Sequence, residues 1–536
     1  MSCMGSFPSI FNDVLGPVMR GPSSSHSAAS LRIGRMARDL MGSDITDVTV
    51  DYDPNGSLVT THKSQGSDLG LSGGLMGWET DDSRLPNYQS EIEAEGIKID
   101  IRYLSYGAVH PNTYRLSLRG HRNDHTMTAI STGGGMIEVQ EIDGVSLNLK
   151  GDYYEILIFL DRLDEGLLGW LNNGDFDEVV VAESESLSII NLKSRDCPDN
   201  DLINELKAYE LVSSVRILNP VLPVLASKKT EVPFSSVAEM IEYRKDKDKG
   251  MSLGRLGAIY ESERAGVDLN EVNQRMKGLV EIMEQSIRTG LAGTKYKDRI
   301  LHSQSPNFSQ MMEAGELVPG DVLNRIILYV SAMMEMKSSM GVIVAAPTAG
   351  SCGALPGAVL GVSDSLNKTE EERVEAMFAA GIVGVFIASG ATFAAEEAGC
   401  MAECGSGASM AAAGIVSLAG GDFDKQMSAA SMALQNSLGM TCDTLANRVE
   451  APCLGRNVTA ASNALSSANM ALADYDHLVP LDQVIEAMRQ VGELMPRELC
   501  CTGLGGLAIT PASKMLEKKL EEMNKLTPSM EDEVKV

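Results

Sequence analysis

The run AMFAAGIVGVFIASGATFAA (376–395) contains no charged residue and is about as long as a membrane-spanning helix. It is rich in Ala, Gly and Ser, acids flank it at Glu375, Glu396 and Glu397, and neither end carries Trp or Tyr. Membrane-spanning helices usually carry aromatic residues at both ends. We therefore predict a closely packed helix in the core of a soluble helical domain, with no membrane contact.

The sequence on both sides of this run has the same helical character. Segments such as VLNRIILYVSAMMEMKSSM (322–340) show helical periodicity, and the alternation typical of strands is nearly absent after residue 231. A second uncharged run, 338–363, contains two prolines and several glycines, which argue against a membrane helix. These patterns predict that residues 231–536 form an all-α catalytic domain.

The part of the chain before residue 231 has a different pattern. Residues 1–149 contain alternating segments, ITDVTVDYD (45–53) and IKIDIRYLSYG (97–107), that predict strands of a mixed α/β domain. Residues 150–226 show a strand–helix–strand–strand–helix–strand order, which is the ferredoxin-like arrangement. We predict an α+β N-terminal region whose second part is an ACT-like, amino-acid-sensing domain. The alternative is a structural domain that binds nothing.

Composition excludes some classes of partner. The chain has 536 residues and a formal charge of −28, which speaks against nucleic acid and against an anionic membrane surface. The first 20 residues lack the basic and apolar regions of a signal peptide. We therefore expect a cytoplasmic protein whose nine cysteines are reduced and free for catalysis or metal binding.

Three cysteines in the helical part stand in segments that suggest a metal site: Cys400, Cys442 and Cys453. The sequence contains no CxxC zinc motif near them, and only His302 and His477 lie in the helical part. A site rich in thiols and poor in histidine suits an iron–sulfur cluster better than catalytic zinc. The alternative is that these cysteines are small residues of the core.

The surrounding motifs resemble those of iron–sulfur-dependent L-serine dehydratases, with the β and α components fused in one chain. GMTCDTLANRVEAPCLGRN (439–457) and AGCMAE (398–403) resemble the elements that supply three cluster thiolates in that family, and APTAGSCGALPG (346–357) and GLGGLAITP (503–511) resemble its conserved loops. Four N-terminal segments resemble motifs of the β component in the same order: GPSSSHS (21–27), KSQGSD (63–68), HPNT (110–113) and STGGGM (131–136).

The resemblance implies a cofactor and a reaction. It implies a [4Fe–4S] cluster on Cys400, Cys442 and Cys453, whose open iron acts as a Lewis acid on the hydroxyl of L-serine. Serine is then converted to pyruvate and ammonia, in a protein that we expect to be a homodimer. Two alternatives stay open: a related cluster-dependent lyase such as an L-cysteine desulfidase, and a non-catalytic amino-acid-sensing protein.

The same resemblance suggests residues for catalysis and binding. His26 and Lys63 are candidates for the general base, since Gln65 stands where relatives often have histidine, and glutamine cannot act as a base. The tail after residue 508 lacks a cysteine that closes the cluster in some relatives, so we expect the fourth iron to be held by water or substrate alone. The alternative is that Cys500 or Cys501 closes the cluster. The candidate substrate-binding residues are Ser24, Ser25, Thr348, Ala349 and Gly350.

Overall fold

The computed structural model describes residues 7–227 and 230–525. The first part of the chain carries a six-stranded sheet with helices on it. The strands and helices of this part are β1 Val18–Met19, α1 Ala29–Leu40, β2 Asp47–Tyr52, α2 Leu58–Gln65, α3 Ser67–Leu75, α4 Tyr88–Ala94, β3 Lys98–Tyr103, β4 Thr113–Arg119, β5 Asp124–Gly133, β6 Met136–Ile142 and β7 Val145–Leu149.

The sheet order is β3-β2-β4-β5-β6-β7, with β2 and β3 parallel and the other pairs antiparallel. The alternating segments predicted as strands are therefore confirmed. Their apolar residues, such as Val48 and Val50, are buried under the helices, as a period of two residues requires. The N-terminal region is mixed α/β, as predicted.

Helices α1 and α3 approach closely because glycines face each other. A Cβ on Gly34 would lie 3.0 Å from Cα of Gly74, and a Cβ on Gly70 would lie 2.0 Å from the carbonyl oxygen of Ser27. Any side chain at Gly70 would therefore force the helices apart. The close contact holds the turn Ser24–Ala28, which precedes α1, beside the end of α2.

The middle domain is a four-stranded antiparallel sheet of order β11-β8-β10-β9 with two helices. This chain order and strand order are those of the ferredoxin-like motif, so the predicted secondary structure of 150–226 is confirmed. One face of this sheet packs against the core of the first domain through Leu157, Phe159 and Ile189. The elements are β8 Tyr154–Leu160, α5 Glu165–Asn172, β9 Glu178–Glu183, β10 Ser188–Ser194, α6 Asn200–Ala208 and β11 Val212–Leu218.

The rest of the described chain is helical except for the short strand β12, Ile343–Val344, which pairs with β1. Its helices are α7 Val237–Lys247, α8 Leu253–Ala265, α9 Leu269–Leu291, α10 Ser305–Glu313, α11 Asp321–Ser338, α12 Ala354–Ser365, α13 Glu370–Gly390, α14 Ala395–Cys400, α15 Ser406–Leu418, α16 Phe423–Gln435, α17 Cys453–Leu472, α18 Leu481–Glu493 and α19 Pro511–Lys525. The helical prediction for this part is confirmed over the described residues.

Helix α13 contains most of the uncharged run and is the helix, among those described, that is long and apolar enough to cross a membrane. Of its most apolar 18-residue window, 72% is buried inside the protein, so α13 packs as a core helix. Thr369 and Glu372 form a capping box at its start, which satisfies backbone N–H groups of the first turn. Phe378 of α13 packs against Phe11, with ring centroids 6.3 Å apart, so the first residues of the chain belong to the helical core.

Candidate metal centre

Cys400, Cys442 and Cys453 are all buried and lie on three different segments: the end of α14, the loop after α16, and the first residue of α17. The Sγ atoms of Cys400 and Cys442 and a carboxylate oxygen of Glu403 lie within 4.8 Å of one another. Burial raises the pKa of the Cys453 thiol, and the charges of Cys400 and Glu403 also raise it. Two of the three cysteines singled out in the sequence, Cys400 and Cys442, therefore converge with Glu403, and the buried Cys453 lies within reach of their charges.

Backbone hydrogen bonds hold these segments together. The amide of Met401 donates to the carbonyl of Met440 at 3.0 Å, Cys442 donates to Leu499 at 2.7 Å, and Cys501 donates back to Cys442 at 2.9 Å. Gly399 has φ of +64° and lies so close to Met440 that a Cβ would be 2.7 Å from its carbonyl oxygen. Glycine is thus required immediately before Cys400 for the chain to turn the thiol toward Cys442.

Two further thiols lie against this group. The thiols of Cys404 and Cys442 hydrogen-bond to Cys400, and with Arg456 nearby they hold the pKa of Cys400 well below its ordinary value. The thiol of Cys442 also hydrogen-bonds to Cys501, and this bond contributes to a raised pKa of Cys442. Cys404 was not among the three cysteines predicted as ligands, yet its side chain lies beside that of Cys400.

The neighbouring cysteines point elsewhere. The Sγ of Cys500 lies 3.6 Å from the carbonyl oxygens of Glu397 and Pro496, and the Sγ of Cys352 contacts Met334 at 3.9 Å. None of the eight described cysteines forms a disulfide. Of the two residues that could close the cluster, Cys501 therefore faces the thiol group and Cys500 does not.

Two residues of α17 organise the surroundings of the cysteines. Arg456 donates to Cys400 Sγ at 3.6 Å and forms an ion pair with Asp443, which in turn accepts from the Leu507 amide at 2.8 Å. Asn457, with no exposed surface, accepts hydrogen bonds from the amides of the loop before α12 and donates to its carbonyl groups. The Arg-Asn pair that follows Cys453 thus connects three of the sequence motifs.

The predicted substrate-binding loops meet beside the thiols. The amide of Ala349 donates to Ser24 Oγ at 3.2 Å, and Thr348 Oγ1 donates to Glu403 Oε1 at 2.6 Å. A Cβ on Gly350 would lie 2.6 Å from Glu403 Oε1, so glycine allows this contact. Burial, followed by the charge of Cys400, raises the pKa of Glu403 well above its ordinary value.

His26 is fully buried, and its contacts define its tautomer. Thr61 Oγ1 donates to the carbonyl of Ser57 at 2.7 Å, so it accepts from Nε2–H of His26 at 2.8 Å. Nδ1 therefore carries the lone pair, 3.0 Å from Ser23 Oγ and 3.4 Å from Glu396 Oε1. Burial lowers the pKa of His26 despite the charge of Glu396, so the neutral form is favoured.

The other predicted residues take different positions. Ser25 Oγ donates to Glu396 Oε1 at 2.6 Å, so it lies beside His26. Lys63 is exposed, because it lies on the face of α2 opposite the buried Thr61 and Gln65. Gln65 Nε2 is 3.4 Å from Cys501 Sγ, so the N-terminal region contacts the thiol group through the residue that replaces histidine.

Two buried polar atoms close to this network have no hydrogen-bond partner among the described residues: Nδ2 of Asn112 and Oγ of Ser131. The amide of Ser131 donates to the carbonyl of Asn112 at 3.1 Å, and Asn112 also bonds to Ser57, whose carbonyl accepts from Thr61. Buried polar atoms are nearly always paired, so these atoms fit a polar ligand. They belong to the HPNT and STGGGM segments, for which the sequence predicted no binding residue.

An interdomain cavity of about 750 Å³ leads to this region and is lined by Glu396, Cys500 and Thr502. His110 and Glu397 connect its two sides with Nε2 and Oε1 3.0 Å apart. Sequence reasoning missed Glu396 and Glu403, although both flank Cys400 in EEAGCMAE. Acids beside a cysteine give no local sign of whether they face it.

The donor set fits an iron–sulfur cluster. The side chains of Cys400, Cys442 and Cys501 pack in one buried cluster, Cys404 and Cys453 are buried near it, and no histidine belongs to the metal-ligand group found among the described residues. Clustered, unoxidised thiols in a buried pocket are the ligands that iron–sulfur clusters require. Arg456 supplies positive charge next to Cys400, which favours the thiolate form.

Comparisons with known proteins agree with this picture. A family model described as the serine dehydratase alpha chain matches residues 224–508. A probable L-serine dehydratase alpha chain of Bacillus subtilis (strain 168) is 36% identical over 287 residues, which cover 54% of this chain and 95% of that protein. The probable beta chain from the same organism is 40% identical over 207 residues, covering 37% and 93%. An L-serine dehydratase of Streptomyces coelicolor is 26% identical over 502 residues, covering 91% and 96%.

Proposed function

The chain belongs to the serine dehydratase family, and from that membership we propose that it is an L-serine ammonia-lyase with the β and α components in one polypeptide. The reaction converts L-serine to pyruvate and ammonia. Among enzymes, this places the protein with the carbon–nitrogen lyases. Relatives described as separate alpha and beta chains, and one relative that spans nearly the whole sequence, support the fused arrangement.

One observation carries the proposal: the buried thiols lie beside the Ser/His loop of the N-terminal region. Ser24 bonds to Ala349 of the helical domain, and Gln65 contacts Cys501. An enzyme that removes a proton and a hydroxyl from one substrate needs a base for the proton and an acid for the hydroxyl at the same place, and a metal ion can be that acid. The domain contact meets that requirement, because each domain contributes one of the two groups.

We assign the cofactor as a [4Fe–4S] cluster held by Cys400, Cys442 and Cys453. When bound, the cluster supplies a Lewis-acidic iron that polarises the hydroxyl of the substrate. We propose that Cys501 occupies the remaining position when substrate is absent, because its side chain packs with those of Cys400 and Cys442 in one buried cluster.

His26 is the base that we favour. Its neutral form has the lone pair on Nδ1, and Glu396 at 3.4 Å stabilises the imidazolium that forms when Nδ1 takes the α-proton. Ser23 and Ser25 orient the ring through their hydroxyl groups. The exposed position of Lys63 on α2 makes it the weaker of the two candidates.

The substrate carboxylate and amino groups need polar partners near this base. We propose that Asn112 Nδ2 and Ser131 Oγ, which are buried without partners among the described residues, contribute to binding. The loops that contain residues 24–25 and 348–350 then position the substrate between these two side chains and the thiols. The five residues proposed from the sequence are Ser24, Ser25, Thr348, Ala349 and Gly350.

We further propose that residues 150–226 form an ACT-like domain that senses an amino acid, and that the protein is a homodimer. The ferredoxin-like strand order supports the first proposal. Equilibrium binding of single amino acids to the full-length protein, and light scattering after size-exclusion chromatography, test the two statements separately.

The central experiment is an anaerobic purification with iron and sulfide analysis, followed by pyruvate assays on L-serine, L-threonine and L-cysteine. We expect about four irons per chain and the highest kcat/KM with L-serine. Turnover of serine by iron-free protein would contradict the cluster mechanism. A preference for L-cysteine would contradict the serine assignment while leaving the cluster intact.

A further inference from the structure

A second cavity of about 640 Å³ lies between α1 of the N-terminal region, segment 220–223, and α9 of the helical domain. Its walls are largely apolar and include Leu31, Leu279 and Ile282. None of the cysteines of the metal centre lines it. Volumes of about 300–1,000 Å³ with apolar walls and few polar groups are typical of small-molecule sites.

Arg32 lines this cavity and is only 3% exposed. Its Nη1 donates to the carbonyl of Gly135 at 2.6 Å, whereas its Nε is buried with no acceptor. No carboxylate of the described residues forms an ion pair with it, including Asp81, which lines the same cavity. Arg32 is therefore a buried guanidinium without an ion-pair partner among the described residues, and the carboxylates whose charges act on it, Asp13 and Glu79, lie farther away.

The other arginines of the cavity differ from Arg32. Arg35 pairs with Glu79 at 2.6 Å, and Arg275 pairs with Glu271 at 2.8 Å. Their charges are already compensated by neighbouring acids. Among the arginines that line the cavity, Arg32 is thus the one without an ion pair among the described residues.

Burying an unpaired charge is unfavourable, and a protein usually places a counter-ion beside it. Burial lowers the pKa of Arg32 to about 10, which still leaves the guanidinium charged at neutral pH. Its planar group binds carboxylates well, because two parallel N–H donors match two oxygens. The acids Glu79 and Asp81 at the same cavity disfavour a doubly charged ligand such as a phosphate monoester.

We propose that this cavity is a ligand site for a small monocarboxylate with an apolar body. The carboxylate pairs with Arg32, and the hydrocarbon part packs against Leu31, Leu279 and Ile282. Arg32 also donates a hydrogen bond to the carbonyl of Gly135 in the STGGGM loop. The ligand therefore contacts a residue that is hydrogen-bonded to the loop that carries Ser131.

The test compares 3-phenylpropanoate with its neutral amide, 3-phenylpropanamide, by isothermal titration calorimetry on the full-length protein. We expect the acid to bind at least about tenfold more tightly than the amide, since a charge-assisted bond is worth about that factor. In Arg32→Met the affinity for the acid should fall by a similar factor. Arg38→Met is the matched control, because Arg38 lies on the same helix and donates to the carbonyl of Leu75 but does not line the cavity.

A second variant protects the test against misfolding of Arg32→Met. Gly278 lines the cavity, and a Cβ there would meet no atom within 4 Å, so Gly278→Leu fills the space without disturbing α9. This variant should abolish binding of the acid while its circular dichroism stays unchanged. The proposal is overturned if the protein binds the acid and the amide with equal affinity, or if the Kd for the acid exceeds about 10 mM, which would mean negligible pairing with Arg32. It is also overturned if Gly278→Leu binds the acid as tightly as the unchanged protein does.

Discussion

Replacement of Asn457 by alanine tests the assembly of the metal centre most directly. The Asn457 side chain is fully buried, and its Oδ1 accepts from the amides of Gly353 at 3.2 Å and Ala354 at 2.9 Å. Its Nδ2 donates to the carbonyl of Gly350 at 2.8 Å. These amides belong to the start of α12, where backbone N–H groups have no partner within the helix.

The expected loss of stability follows from the three backbone groups of segment 350–354 that lose a partner; the fourth bond of the side chain, from Nδ2 to the carbonyl of Cys453 at 2.8 Å, lies within α17 and is not counted. Water cannot replace the amide, because Gly350, Gly353 and Ala354 are buried. Each buried hydrogen bond contributes about 1 kcal/mol, so the free energy of unfolding should fall by about 3 kcal/mol. With a urea dependence of about 3 kcal/mol/M for a large domain, the midpoint should fall by about 1 M.

The assay is reversible urea unfolding under anaerobic conditions, followed by far-UV circular dichroism. Asn469→Ala is the control, because Asn469 is an exposed residue of the same helix and the change in helix propensity is identical. A surface change of this kind should alter stability by no more than about 0.5 kcal/mol. If the midpoints of the two variants agree within about 0.2 M, Asn457 does not hold the loop before α12 and the reasoning is refuted.

Further variants test the thiols and the base. Each of three serine variants loses a cluster ligand and should no longer retain iron: Cys400→Ser, Cys442→Ser and Cys453→Ser. The control Cys197→Ser, at an exposed site, should retain full iron. Cys501→Ser should hasten inactivation in air while Cys500→Ser leaves its rate unchanged, and equal rates would remove Cys501 from the centre. His26→Asn should reduce kcat at least about 100-fold with normal iron content. Since burial lowers the pKa of His26 and the base acts when neutral, the acid limb of kcat/KM should lie below pH 6.5, and a limb above that value would exclude His26.

Local patterns in the sequence determined the secondary structure well. Alternation in 45–53 predicted β2, and the strand and helix order of 150–226 predicted the middle domain, because a half-buried strand or helix needs apolar residues at a fixed period. The uncharged run 376–395 predicted a core helix from its content of Ala, Gly and Ser and its lack of Trp or Tyr at the ends, and α13 covers this run as far as Gly390. The motifs around the cysteines also identified the segments that meet at the metal centre, since each motif carries residues whose chemistry is recognisable alone.

Tertiary structure decided which side chains meet. Cys500 and Cys501 are adjacent in sequence, yet only Cys501, with φ of +59°, turns its thiol toward Cys442. Lys63 and Gln65 lie on one short helix, but Gln65 is buried against Cys501 of the helical domain, whereas Lys63 is exposed. The unpaired charge of Arg32 is equally invisible in the sequence. Direction, burial and pairing depend on contacts between residues that are far apart in the chain, and no local pattern encodes those contacts.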